Sequence, residues 1–172
     1  MPTLILDPPP RELQELIERR RKLGQDLFDE VWEGVLHMNP APGLAHGRLE
    51  SQLIELMAPL ARAAGLIISG QFNLGESADD YRVPDLGLHR PDASGVWLPT
   101  AEFVVEIVSP GDETWQKLPF YAAHRVDEVV IVDPGESEVH WLALTERNYQ
   151  EVQRSSVIEL SARELAERID WP

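Results

Sequence analysis

The chain has 172 residues, 43% hydrophobic and 26% charged, the size and make-up of one globular domain with a real core. It has no cysteine, which excludes disulfides, thiolate metal sites and cysteine nucleophiles. Thirty acids against 15 bases give a formal charge of −15, which counts against a protein that coats nucleic acid through a basic surface; a local basic patch or bound cations would still change the field where it matters.

No apolar stretch is long enough to cross a bilayer. Met1 to Pro10 has neither a basic start nor a long apolar run, so no secretory signal is read there and a cytoplasmic location is the default expectation. Pro8-Pro9-Pro10 ends an extended leader. Arg11 to Leu23 follows with apolar residues at helical spacing and is closed by Gly24. Phe28 to Met38 reads as a hairpin turning at Glu33-Gly34, and the Pro loop from Asn39 to Gly43 follows it. Leu44 to Ala64 is the longest helical pattern, with Leu49, Leu53, Leu56, Met57 and Leu60 as its apolar stripe; Pro59 should kink it or tighten its last turn. Two strands are expected next, over Leu66 to Leu74 and Tyr81 to His89, with a polar turn between them, and then an irregular stretch to Thr100. Ala101 to Val108 is nearly continuous in apolar residues, the pattern of a central strand buried on both faces. Ser109-Pro110-Gly111-Asp112 breaks it, Thr114 to His124 reads as a helix, and Asp127 to Asp133 as another buried strand. Val139 to Leu144 and Tyr149 to Val152 form a closing antiparallel pair, and Ser161 caps a last helix with Glu164 three residues on.

The core order is helix, strand, strand, strand, helix, strand, over about residues 44–134, within one domain spanning 1–172. Mixed strands with crossovers imply an α/β protein whose sheet is flanked by helices.

Glu106 is the most informative residue, because it interrupts an otherwise apolar strand, and a buried carboxylate needs a partner, a proton or a metal. Asp85 follows Pro84, and a proline within a strand marks an edge or a bulge, where side chains are re-aimed. Lys117 lies near the start of the next helix, the unfavourable end for a cation, and two nearby carboxylates would offset that. His46 and Glu50 share one face of the long helix and could reach the same cleft. Taken singly, Glu106 reads better as a strand-end or ion-paired group and Asp85 as a turn-proximal one, Lys117 reads also as a solvated surface lysine, and His46 and Glu50 read equally as a polar helix face. Together, two carboxylates on adjacent strands can bind a hard divalent cation such as Mg²⁺, while a lysine orients water or offsets the charge of a transition state.

These residues, with Trp32-Glu33-Gly34-Val35-Leu36-His37-Met38, Ala45-His46-Gly47, Val83-Pro84-Asp85-Leu86, Val104-Val105-Glu106-Ile107-Val108-Ser109-Pro110, Tyr121-Ala122 and Val129 to Pro134, resemble the PD-(D/E)XK nuclease superfamily. Within it, they look like the Uma-type family of "putative restriction endonucleases". The resemblance runs in order from about Phe28 to Leu144 and implies a restriction-endonuclease-like fold. It also implies Mg²⁺ or Mn²⁺ as cofactor, DNA as substrate, and Asp85, Glu106 and the backbone carbonyl of Ile107 as metal ligands. The usual lysine, two residues past the acid, is Val108 here, so the resemblance moves that role to Lys117 in the following helix.

The competing expectation is a non-enzymatic interaction module on the same fold, a homodimer being one form of it; the acidic balance and the displaced lysine favour it. A zinc hydrolase built on His37, His46, His89, His124 or His140 is disfavoured because no pair shows HExxH spacing, and a serine hydrolase because no GxSxG elbow occurs.

Overall fold

The computed structural model describes residues 3–5 by their backbone, and 10–111 and 113–172 in full. Residues 1–2 and 6–9 of the leader, Pro8-Pro9 among them, and Asp112 in the break after the central strand lie outside the described residues. The elements in chain order are β1 (Thr3–Ile5), α1 (Arg11–Lys22), β2 (Glu30–Trp32), β3 (Val35–Met38), α2 (Leu44–Ala63), β4 (Ile67–Ser69), β5 (Asn73–Ser77), β6 (Asp80–Arg82), β7 (Leu86–His89), β8 (Trp97–Leu98) and β9 (Phe103–Ile107). A 3₁₀ turn (Thr114–Lys117) runs into α3 (Leu118–Ala123), followed by β10 (Glu128–Asp133), β11 (Glu138–Leu144), β12 (Tyr149–Glu151) and α4 (Ala162–Arg168). No helix among the described residues is long and apolar enough to cross a membrane.

The strands form two six-stranded sheets, β1-β3-β2-β6-β5-β8 and β12-β11-β10-β9-β7-β4. The expected core order is met in the second sheet by α2, β4, β7, β9, α3 and β10. There β9 runs parallel to β10 and antiparallel to β7. The mixed α/β fold is therefore as the sequence indicated, but the two middle strands are not continuous. Leu66 to Leu74 divides into β4 in the second sheet and β5 in the first. Tyr81 to His89 divides likewise, with β6 in the first sheet and β7 in the second. The cause in the second case is Pro84, which has no N–H for a ladder and fixes the chain where it leaves one sheet for the other. The stretch taken as irregular before Thr100 holds the short strand β8, parallel to β5.

The alternation of β9 sorts the core. Phe103, Val105 and Ile107 pack with Leu49, Leu53 and Met57 of α2 and with Leu165 near the C-terminus. Val104 faces the other way, among Tyr121 of α3, Val129 and Ile131. The hairpin turn adopts left-handed backbone at Glu33 (φ 51°) and Gly34 (φ 84°), as a two-residue turn between twisted strands requires. Ser161 and Glu164 form the reciprocal cap expected at the last helix.

Candidate functional site

Side chains alternate along a strand, so Glu106 lies on the Val104 face of β9, toward α3. It is 3% exposed and sits at the carboxyl end of the strand. Asp85 follows the crossing at Pro84. Its N–H donates to the carbonyl of Val105 at 3.1 Å, and Leu86 pairs with Val105, which sets Asp85 beside Glu106. Asp85 Oδ2 accepts the Ile107 N–H at 2.7 Å, and its Oδ1 lies 2.9 Å from His46 Nε2 in the first turns of α2.

Lys117 closes the 3₁₀ turn and points back over the strand end. Its ammonium lies 3.1 Å from each oxygen of Glu106 and 2.9 Å from Oε1 of Glu30. Three contacts use the three hydrogens an ammonium carries. Residue 108 alternates onto the same face as Glu106, but it is Val108, which packs against the apolar cluster there. The lysine therefore arrives from above the strand instead of from within it.

Glu30 is the residue the sequence reading missed. It is 1% exposed on β2, in the first sheet, yet it belongs to this cluster. Its carboxylate accepts the Val83 N–H and the Trp32 indole N–H, both at 2.7 Å. The only available signal was the acidic pair Asp29-Glu30 between the apolar Phe28 and Val31 of the predicted hairpin. Tyr121 also joins, donating its hydroxyl to Glu106 Oε1. Glu50 lies one turn beyond His46 and accepts from Gln71 at 3.3 Å; it is outside the cavity lining, whereas His46 is part of it.

Burial pushes Glu106 up to about 8; Lys117 pulls it back, and the neighbouring carboxylates of Asp85 and Glu30 raise it again. Burial alone would lower Lys117, but Glu106, Glu30 and Asp85 outweigh it and hold the ammonium charged, above the ordinary lysine range. His46 is raised mainly by its bond to Asp85, against the effect of burial. These groups face a cavity of about 340 Å³ between the hairpin, the Pro loop, the start of α2 and the end of β9.

The profile of the Uma2 family, described as "Putative restriction endonuclease", matches residues 12–168. The chain belongs to this family. A solved structure with the same fold is a "putative nuclease belonging to DUF820" from Anabaena variabilis ATCC 29413. It matches with a TM-score of 0.64 at 17% identity, over 81% of this chain and 90% of that one. A cryo-EM DrdV–DNA complex matches with a TM-score of 0.40 at 14% identity, over 72% of this chain but 12% of that one, a likeness too slight to bear on this family member. No protein of curated function matches the sequence.

The donor chemistry of this Uma2 site fits a hard divalent cation. Asp85 and Glu106 offer carboxylate oxygens side by side, and Ile107 lines the same cavity. Burial first, and the neighbouring carboxylates after it, raise Glu106, and a bound cation would offset both. Among the described residues no three histidine or acidic side chains are grouped to hold a metal by themselves, so backbone and water oxygens would complete the shell, as Mg²⁺ commonly allows.

Proposed function

We propose that this chain is a metal-dependent endonuclease that hydrolyses phosphodiester bonds of DNA. The observation that carries the reading is the convergence of Asp85, Glu106 and Lys117, from three separate elements, on one cavity. Membership of a family described as restriction endonucleases supports it. A Mg²⁺ or Mn²⁺ ion held by Asp85, Glu106 and the Ile107 carbonyl would polarise the phosphoryl oxygen and lower the pKa of its bound water.

The protein's own groups then have separate tasks. Asp85 is fixed on both oxygens, by the Ile107 N–H and by His46, so it is presented in one orientation. Lys117 is held charged and cannot take a proton from water near neutral pH. Its part is electrostatic: the positive charge offsets negative charge that grows on the phosphoryl group. Glu30 positions that ammonium, and Val83 and Trp32 hold Glu30.

The test is plasmid nicking with Mg²⁺ or Mn²⁺, using wild type, Asp85→Ala and an EDTA control. Metal-dependent nicking lost in Asp85→Ala is the expected result. A second reading, an interaction module on the same fold, is favoured by α1, which buries none of its residues and leaves Leu16 exposed, with Leu23 just beyond it also exposed. A folded wild type that neither binds Mn²⁺ nor nicks DNA would decide for that module.

A further inference from the structure

His37 and Glu113 form a second polar unit on the wall of the same cavity. His37 Nδ1 lies 3.0 Å from Glu113 Oε2, and the imidazole is 5% exposed. Its ring stacks on Trp32 with centroids 4.3 Å apart and planes 16° from parallel, which fixes its orientation. His37 is the cross-strand partner of Glu30, so the two side chains project from the same face of the hairpin. The unit therefore adjoins the Glu30–Lys117–Glu106 cluster. The charged groups around the ring are Glu113 from the segment before the 3₁₀ turn, Glu30 from β2, and Arg82 from β6, whose guanidinium lies 4.4 Å from the Trp32 ring centroid.

Phosphodiester hydrolysis also needs a proton at the departing oxygen. Lys117 has its three hydrogens on carboxylates, and His46 is engaged by Asp85. Of the two imidazoles lining the cavity, His37 is the one whose carboxylate partner lies outside that cluster. We propose that His37, oriented by Glu113, is the general acid for the leaving group, an inference that rests on the phosphodiesterase reading. With Nδ1–H donating to Glu113, Nε2–H is the proton on offer. The oxygen of water bonds to phosphorus, and the bond from phosphorus to the leaving oxygen breaks with its electron pair. That oxygen takes the Nε2 proton as an alcohol. The proton lost by the attacking water passes to solvent, from which His37 is recharged.

The experiment compares two substrates with the full chain and Mn²⁺. One is a dinucleotide phosphodiester, whose alkoxide must be protonated. The other is the p-nitrophenyl ester of thymidine 5′-phosphate, whose phenolate leaves without help. His37→Gln should slow the first by about 100-fold or more and the second by less than about threefold, since general acid catalysis contributes roughly 10²–10⁴. Glu113→Gln, whose partly exposed side chain is less demanding of the fold, should show the same contrast at about tenfold. Equal losses on both substrates in both variants would make the pair a structural tie and overturn the proposal, as would no loss on either. A wild type that cleaves neither substrate would instead bring down the phosphodiesterase reading, and this inference with it.

Discussion

Lys117→Met removes one cation from between two buried carboxylates while nearly keeping side-chain length. Removing one partner of a buried ion pair costs about 3–5 kcal/mol, because the other charge is left uncompensated. The surroundings here favour the lower end of that range. Glu30 keeps the N–H groups of Val83 and Trp32, and Glu106 keeps the Tyr121 hydroxyl and can bind a proton, since burial already pushes it up to about 8. The expected loss is about 3 kcal/mol, or roughly 6–12 °C in melting temperature for a chain of this size. The assay is urea unfolding at pH 9 in EDTA, above the value at which folded Glu106 gives up its proton, with Glu106→Gln and the double variant completing a cycle. The neutral amide needs no counter-charge, so Glu106→Gln/Lys117→Met should be more stable than the sum of the single losses by at least about 1 kcal/mol. A loss below about 1 kcal/mol for Lys117→Met, or an additive cycle, would refute the claim that this lysine neutralises the cluster.

The raised Glu106 makes stability of the metal-free protein depend on pH. Between its ordinary value of 4.5 and about 8, the folded state holds a proton that the unfolded state has released. Stability therefore falls as pH rises through that window, by at most about 1.4 kcal/mol per unit from this group, and the urea midpoints of Glu106→Gln at pH 5.5, 6.5 and 7.5 should lack that share of the slope. A third prediction concerns Arg19, Arg21 and Lys22, exposed at the end of α1. Arg20 between them bonds Asp29 at 2.7 Å, and Asp29 accepts the N–H of Asn39 on the cavity lining at 2.9 Å, which ties the end of α1 to the segment that lines the site. Changing the three to Gln should raise KM for DNA, leave kcat unchanged and reduce the log–log salt slope by about 2–3, whereas an unchanged slope would show that substrate does not reach this helix.

Glu106 was legible because period and composition conflicted at one position: a carboxylate in an apolar strand must have a physical reason, and the structure supplies Lys117 and Tyr121. Asp85 was legible through Pro84, although the proline marks a crossing between sheets and not an edge within one strand. Neither split strand could be read from period alone, because β6 and β7 alternate well enough to pass for a single run. Glu30 stayed hidden for a related reason. Sequence spacing reports neighbours within an element, and Glu30 meets Lys117 only because two sheets are brought together 87 positions apart in the chain. The family resemblance moved the lysine to the following helix, and the 3₁₀ turn that opens that helix brings Lys117 onto Glu106.

A lysine at position 108 would share the face of Glu106, but it would project from the second sheet alone. From the 3₁₀ turn, Lys117 reaches Glu106 in one sheet and Glu30 in the other, so a cation that lines the cavity also joins its two walls. An apolar contact of equal volume at this seam would be as stable or more so, because desolvating three ionisable groups cancels most of what their attraction returns. Stability therefore does not account for the cluster. The hairpin that brings Glu30 also brings His37, and the crossing that brings Asp85 also brings the Val83 N–H that holds Glu30. Each ionisable group at the seam is oriented by a second contact and faces the same cavity, a costly arrangement that the proposed phosphodiesterase role would explain.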